Sequence, residues 1–338
     1  MMRSEPGTGT IRTPTPDAHP VDGQGRARSL PAGERLFAAA AFPAVLTSTI
    51  AGALLLMSFG VDPALAIVPL AMANYAFVAI AERLLPLHRS WLHSRGDLRT
   101  DVGLAVTNLL MGVVLNPFLL AGATLAGAWL AARIGVGLWP SSWPIVGQLA
   151  LALVIAELVE YSVHRAMHEV PYLWRFHATH HSAPRLYWLN ALRFHPIDLF
   201  LVGSVKLVPL AMLGAGAPVF ALVNLFSAVH GSFQHANVPV RIGPLNWIFS
   251  MAELHRWHHS KTIEESNTNY GGNLIFWDIV FGTRFLPEDR EPPEEIGIAA
   301  LPAFPSGFWA NLASPFRWKK LVEESSGARY PARTHAVS

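Results

Sequence analysis

Cysteine is absent from this 338-residue sequence. Without a thiol, the chain forms no disulfide, no thiolate–metal bond, no iron–sulfur cluster and no thiolate nucleophile. Charge is also scarce, because only 14% of the residues are charged, whereas a soluble domain has about 25%. The formal net charge of +2 is too small to indicate nucleic acid as a partner.

Long hydrophobic runs account for the scarcity of charge. Hydrophobic residues make up 51% of the chain, and its mean hydropathy is positive. A helix of roughly 20 apolar residues crosses the ~30 Å hydrocarbon core of a bilayer, and each run is about that long or longer. We therefore interpret the chain as an integral membrane protein. The runs lie at 36–60, 63–86, 102–135, 143–163 and 199–229.

Two of these runs contain breaks. The run at 102–135 includes Pro117, so it fits either one kinked, tilted helix or a broken pair. Residues 214–218, Gly-Ala-Gly-Ala-Pro, interrupt the run at 199–229 and predict a helical hairpin there. The predicted fold is all-α, with about four transmembrane helices plus this hairpin.

The remaining segments are more polar. Residues 1–34 are rich in Pro, Gly, Thr and Arg, which predicts a disordered tail without the apolar core of a signal peptide. Residues 287–338 predict a C-terminal surface tail. Between the tails we expect N-terminal transmembrane helices in 35–97 and a second domain in 98–286. Basic residues in the N-terminal tail and in 87–101 place both in the cytoplasm by the positive-inside rule.

Histidines are the residues that point to chemistry. Eleven of the 15 histidines lie between positions 164 and 259. Most belong to the elements HRAMH, HATHH and HRWHH, in which spacings of three and four residues place imidazoles on one helix face. Burying so many imidazoles near a bilayer without partners would be costly, so we interpret them as metal ligands. These candidates are His164, His168, His177, His180, His181, His255, His258 and His259.

Three further histidines extend the candidate set. We expect His195 and His235 to be ligands and leave His230 open. Because one ion takes about six ligands at most, this many imidazoles implies two metal ions. Imidazole suits iron, zinc, copper and nickel, and the spacing does not choose among them. Structural zinc sites are usually cysteine-rich, and HEVPY at His168 lacks the second histidine of a metalloprotease motif, so a redox pair that activates dioxygen fits better.

Other polar residues flank the histidine elements. We expect the acidic ones either to hydrogen-bond the imidazoles or to be interfacial charges. We expect the basic ones to face water or lipid phosphate. The acidic residues are Glu157, Glu160, Asp198, Glu253 and Asp278, and the basic ones are Arg165, Arg175, Arg185, Arg193 and Arg256.

The order HRAMH, HATHH, NALRFHP, QHANV, HRWHH and SNTNYGGNLIFWDIVFGTRF closely resembles the fatty acid hydroxylase and sterol desaturase superfamily over residues 98–286. Members are membrane-bound non-haem di-iron enzymes that hydroxylate or desaturate lipids. The resemblance implies that 98–286 is a di-iron domain, with two iron ions as cofactor, dioxygen as co-substrate and a membrane lipid as substrate. It also implies that His195 and His235 join the eight histidines above as ligands. Because no cytochrome is fused here, we expect a separate electron donor, either a ferredoxin or a small cytochrome with its reductase.

Two alternatives remain at this point. One is a carotenoid or ether-lipid oxygenase of the same type, and the other is a non-enzymatic metal-binding membrane protein such as a transporter or sensor. A transporter holds its ligands at mid-membrane on broken helices, whereas these histidines lie in polar segments outside the runs. If 102–135 crosses the membrane once, all the histidine elements form a helical cap on the cytoplasmic face. The oligomeric state does not follow from the sequence.

Overall fold

A computed structural model describes residues 30–329 of the protein, with side chains up to 326. The disordered tail predicted for 1–34 therefore falls almost entirely outside the described residues, and the first helix already begins at Ala32. Within 30–329 the structure contains helices and two isolated β-bridges but no strand, as the all-α prediction requires.

Among residues 30–329, five helices are long and apolar enough to cross a membrane. The first two form an antiparallel pair, and Asp62 caps the second, because its carboxylate accepts the backbone N–H groups of Ala64 and Leu65. The five helices are α1 (Ala32–Ser58), α2 (Pro63–Leu84), α3 (Leu98–Ile134), α4 (Ile145–Glu169) and α6 (Pro196–Leu213), with the short α5 (Pro171–His181) between the last two.

Helix α3 is one continuous helix that contains Pro117, so the broken pair is excluded. Its 37 residues give a length of about 55 Å at a rise of about 1.5 Å per residue, more than one hydrocarbon core requires. Many of its apolar side chains are exposed, including Leu109, Leu110 and Phe118. Exposed apolar side chains over this length suit a helix that faces lipid.

The hairpin predicted at 199–229 is present. Helix α6 ends at Gly214, whose φ of 90° reverses the chain, and α7 (Ala217–His235) returns. Helix α7 packs against α1, α2 and α4 and carries much of the core. Helix α6 is irregular, because a π-helical turn at Phe200–Ser204 interrupts it.

Hydrogen bonds join three connections at one end of the helices. The backbone N–H groups of Leu87 and His88, which follow α2, donate to the backbone and side-chain oxygens of Asn237, which follows α7, at 3.0 and 2.9 Å. Arg185, which follows α5, donates to Asp97, which precedes α3, at 2.7 Å. A single crossing by α3 therefore leaves the histidine elements together on one side.

Shorter helices complete the chain around this end. As far as it is described, the segment predicted as a C-terminal tail contains two α-helices, and the one that begins at Phe308 packs against α3. The hydroxyl of Thr100 in α3 donates to the carbonyl of Ser306 at 2.6 Å. This segment is thus folded onto the domain as far as Arg329. The helices are α8 (Ala252–His258), α9 (Ile263–Ser266), α10 (Phe276–Phe281), α11 (Phe308–Ala313) and α12 (Trp318–Arg329).

Candidate metal centre

Nine of the predicted ligands converge into two groups. Within each group, one ring nitrogen of every histidine lies within 4.8 Å of the others. All nine are buried except His168, which is partly exposed. The five-histidine group is His164, His168, His177, His181 and His258, and the four-histidine group is His180, His235, His255 and His259.

Each copy of His-x-x-His-His divides its side chains between the groups. The first and third histidines face one group, and the middle histidine faces the other. His177 and His181 of the first copy join the five-histidine group, whereas His255 and His259 of the second copy join the four-histidine group. Viewed down a helix, the side chains of residues i and i+4 point in directions about 40° apart. The side chain of residue i+3 points about 60° away from residue i in the opposite sense. One helical turn can therefore serve two metal positions, which explains why the element occurs twice.

The distances between ring nitrogens match those of a metal coordination shell. The Nε2 atom of His164 lies 3.0 Å from Nε2 of His177 and 3.0 Å from Nε2 of His258. In the four-histidine group, Nε2 of His255 lies 3.0 Å from Nε2 of His235. Two nitrogen ligands at ~2.1 Å from one ion and at right angles to each other are about 3.0 Å apart. The inner nitrogens are thus spaced as neighbouring corners of such a shell.

The chemistry of these donors also fits a cation. Lone pairs of neutral imidazoles that face each other need a positive charge between them, and imidazole is a good ligand for iron. The Nε2 atom of His168 is buried and has no hydrogen-bond partner among the described residues. A metal ion would satisfy this nitrogen, which would otherwise lose its hydrogen bonds to water.

The outer nitrogens of six of the nine histidines hydrogen-bond to oxygen atoms. An oxygen that only accepts requires Nδ1 to carry the proton, so Nε2 keeps its lone pair for the metal. The pairs are His164 with Tyr270 O (2.6 Å), His168 with Asn267 Oδ1 (3.1 Å), His177 with Asp198 Oδ2 (2.9 Å), His180 with Arg193 O (3.1 Å), His235 with Gly231 O (3.1 Å) and His258 with Thr268 O (2.7 Å).

Burial keeps the imidazoles in their neutral, metal-binding form. It lowers the pKa of His181, His255 and His258 well below the usual value, and repulsion between neighbouring imidazoles adds to the effect. Burial also lowers the pKa of His235 to about 4. Neutral imidazole is the form that donates a lone pair to a metal, so near neutral pH these histidines are in the protonation state that binds metal.

The NYGG turn supports the five-histidine group. Asp278 accepts the backbone N–H groups of Tyr270 and Gly271, both at 2.8 Å. These bonds fix the Tyr270 carbonyl that orients His164. Asp278 was expected either to hydrogen-bond an imidazole or to be an interfacial charge, but it acts on His164 indirectly, through this turn.

Two buried carboxylates on α4 hold the other half of the turn. Glu157 accepts the N–H groups of Gly272 and Asn273 at 2.6 and 3.0 Å, and Glu160 forms an ion pair with Lys206 at 2.7 Å. A Cβ atom on Gly272 would overlap the Glu160 carboxylate, so only glycine fits there. Neither carboxylate hydrogen-bonds to an imidazole of the described residues, and no local sequence pattern indicates their role in the turn.

A buried ion pair positions His180. Arg193 is 1% exposed, forms an ion pair with Asp101 of α3, and donates to the carbonyl of Thr179 at 3.0 Å. Its own carbonyl accepts the Nδ1–H of His180. The expectation that Arg193 faces water or lipid phosphate is therefore wrong. The same correction applies to Arg185 and Arg256, both 5% exposed.

The structure leaves His195 and His230 outside both groups. His195 caps the start of α6, where Nδ1 accepts the N–H of Ile197 at 3.2 Å and Nε2 lies 3.2 Å from the carbonyl of Leu312. Both of its nitrogens thus have backbone partners. His230 is fully buried in α7, with its ring against those of Phe42 and Phe226.

Comparison with known proteins bears on what such a centre does. The family model for fatty acid hydroxylase matches residues 149–283, which include all nine histidines of the two groups. The ornithine lipid hydroxylase OlsE of Rhizobium tropici is 42% identical over 75% of this chain and 76% of its own length. The chain belongs to the fatty acid hydroxylase and sterol desaturase superfamily.

Other relatives in this superfamily are more distant. The alkylglycerol monooxygenase of Xenopus tropicalis is 31% identical over 64% of this chain and 47% of its own length. A putative Delta(7)-sterol-C5(6)-desaturase of Arabidopsis thaliana is 29% identical over 40% of this chain and 41% of its own length. No solved structure matches the chain. Membership in the superfamily makes the chain a membrane-bound, lipid-oxidising oxidoreductase, as the sequence motifs predicted.

Proposed function

We propose that the chain is a di-iron lipid hydroxylase in which the five-histidine group holds one iron ion and the four-histidine group holds the other. The observation that carries this proposal is the convergence of nine inner ring nitrogens at the spacing of a coordination shell. His195 is left out of the proposed ligand set, because both its nitrogens have backbone partners.

A saturated C–H bond is too weak an acid for general-base chemistry, so its oxidation requires a redox centre. Bound iron supplies that chemistry, in which one atom of dioxygen enters the C–H bond and the other leaves as water with two electrons and two protons from a donor. The chain holds the ions through neutral imidazoles and fixes each imidazole through its outer nitrogen. Burial of the ligands keeps bulk water from the centre.

A lipid with an amino-acid head group, of the ornithine lipid type, is our proposed substrate. The 42% identity to an ornithine lipid hydroxylase over three quarters of each chain supports this choice. An ether lipid is the second candidate, supported by the 31% identity to an alkylglycerol monooxygenase.

We infer that the histidine cap faces the cytoplasm, where a separate ferredoxin or cytochrome would deliver electrons. The connection between α2 and α3 carries Arg89 and Arg95, whereas residues 135–144 between α3 and α4 carry no charge. This asymmetry favours a cytoplasmic α2–α3 connection. Reporter fusions after residues 95 and 260 should report cytoplasm, and a fusion after 139 should report the opposite side. A non-cytoplasmic signal at 260 would overturn the orientation.

Metal content and product together test the function. The protein, purified without oxygen in detergent, should contain about two irons per chain. With a reducing system and dioxygen, it should add one oxygen atom to ornithine lipid, detected as a mass increase of that lipid. Iron-loaded protein that oxidises neither ornithine lipid nor alkylglycerol would contradict the proposed substrates, and a chain that binds one iron or none would contradict the di-iron centre.

A further inference from the structure

A cavity of about 180 Å³ lies between α3 and α6. Two glycines help to create it, because Gly112 on α3 and Gly203 on α6 contribute no side chain to the space between the helices. Gly203 belongs to the π-helical turn of α6, and such turns occur often at functional sites. The walls also include Asn108, Met111 and Leu115 of α3 and Pro196, Leu199 and Phe200 of α6.

Contacts flank this cavity on both sides, one between α3 and the segment that leads into α6, and one between α3 and the end of α6. At one end the side-chain amide of Asn108 donates to the carbonyls of Leu192 and Phe194 at 3.3 and 2.9 Å. Near the other end Gly127 packs so closely on the carbonyl of Met212 that a Cβ atom there would overlap it. The gap is therefore held open between two fixed contacts in a part of the chain that faces lipid.

One end of the cavity lies next to the metal centre. Phe194, whose carbonyl binds Asn108, stacks its ring on His180 with centroids 4.2 Å apart and planes 7° apart. In the first turn of α6, two residues after the cavity-lining Pro196, Asp198 hydrogen-bonds to His177. Phe194 and Asp198 thus connect this end of the cavity to one ligand of each group, His180 and His177.

The cavity is apolar except at a few polar atoms. Oδ1 of Asn108 is buried, and it has no hydrogen-bond partner within the described part of the chain. Its neighbour Nδ2 is already used by two carbonyls, so Oδ1 is free to accept a hydrogen bond. Leaving such an oxygen without a donor costs free energy. A donor on a bound molecule, such as an amide N–H or a hydroxyl, would satisfy it.

We propose that this cavity binds the acyl chain of the substrate lipid, with the polar linkage of the lipid hydrogen-bonded to Oδ1 of Asn108. The proposal rests on the proposed function, because it takes the occupant to be the lipid that is oxidised. An acyl chain matches the apolar walls, and the exposed apolar face of α3 gives it access from the bilayer. The amide of an ornithine-type lipid supplies the donor that Asn108 needs.

Photochemical labelling tests the location. Ornithine lipid with a diazirine in the middle of its acyl chain should label Met111, Leu115, Leu199 or Phe200, and unlabelled ornithine lipid should compete. Labelling spread over the exposed side chains of α3, unchanged when phosphatidylcholine replaces ornithine lipid as competitor, would mean that only surrounding bilayer lipid contacts these helices. That result would overturn the proposal.

A matched pair of glycine variants gives the second test. Gly112→Leu should fill the cavity and raise the KM for ornithine lipid by about tenfold or more. Gly122→Leu on the same helix is the control, because a Cβ atom at Gly122 meets nothing within 4 Å. Both variants should retain the iron content and Tm of the wild type. Leu199→Trp fills the space from the other wall and should match Gly112→Leu.

The outcomes separate this proposal from the proposed function. If wild-type protein oxidises ornithine lipid but filling the cavity changes neither labelling nor KM, the cavity is not the binding site, although the function stands. If iron-loaded wild type oxidises no lipid offered, the proposed function fails, and with it the identification of the occupant as substrate.

Discussion

The Nε2 atoms of His164 and His258 lie 3.0 Å apart, although 94 residues separate the two positions in the chain. Each imidazole is held from behind, His164 by the carbonyl of Tyr270 and His258 by the carbonyl of Thr268. The two carbonyls belong to one short segment, so a single loop orients ligands from two helices. Helices α4 and α8 therefore meet through two of their histidines, and the loop that contains Thr268 and Tyr270 holds both imidazoles in place.

Removing a ligand should differ sharply from removing His195. His258→Ala removes one nitrogen from the five-histidine group, and we expect iron content to fall to about one per chain and turnover to be lost. His195→Ala should keep about two irons, with a loss of about 1 kcal/mol in stability because His195 caps α6. Iron content per chain and the free energy of unfolding, measured for both variants, check these two expectations. Loss of iron from the His195→Ala protein would show that His195 is a metal ligand after all.

Asp198 should tune the centre without binding metal. Asp198→Asn weakens the acceptor that orients His177, so iron affinity or turnover should fall by about 10- to 100-fold. Glu169→Gln is the control, because that exposed carboxylate pairs with the partly exposed Arg165 and not with an imidazole of the described residues. Iron titration of the apo-protein measures the affinity. Equal affinities for the two variants would count against a role for Asp198 in orienting His177.

Gly272→Ala should disrupt the NYGG turn. The added methyl group would overlap the Glu160 carboxylate and push the turn away from α4, displacing the Tyr270 carbonyl that orients His164. We expect lower iron content and a lower Tm. Gly122→Ala in α3 should be neutral or slightly stabilising, because a methyl group has room there and alanine favours helix. A Gly272→Ala protein with normal iron content would show that the turn adapts without consequence.

The metal-free protein should lose stability as the pH falls. The buried histidines have pKa values below the usual value, with that of His235 at about 4, so between about pH 6.5 and 4 the unfolded chain binds more protons than the folded one. Stability is therefore fully present above about pH 6.5 and decreases as the pH drops through this window. Thermal unfolding of the apo-protein in detergent from pH 8 to pH 5 measures the effect. A Tm that is flat, or that rises, on acidification would contradict it.

The ion pair between Arg193 and Asp101 should matter more than any exposed ion pair. Asp101→Asn would leave a buried guanidinium without its counter-charge and disturb the carbonyl that orients His180, so we expect a loss of about 3–5 kcal/mol in stability. Lys320→Gln, which removes an exposed pair with Glu324, should change stability by less than about 1 kcal/mol. Chemical unfolding of both variants compares the two. Similar losses in the two proteins would refute the structural role of Asp101.

The sequence by itself determined the class of the protein and the kind of chemistry it performs. An apolar run longer than about 20 residues predicts a membrane helix. Histidines three and four residues apart lie on one face of a helix, so each of the three histidine elements by itself predicts metal ligands. The hairpin after His195 was also readable, because Gly214 and Pro218 mark a local turn. These features depend on residues close together in the chain, where periodicity and residue type carry the information.

Only the tertiary structure decided which histidines share a site. His195 stands in a motif much like the others, yet the carbonyl of Leu312 and the first turn of α6 occupy its nitrogens. The burial of Arg193 against Asp101 could not be predicted from the local sequence either, since the two residues lie 92 positions apart. Contacts of this kind depend on which groups lose water together when distant segments pack. A local sequence pattern identifies the candidate ligands, but the distances between them are determined only when the chain folds.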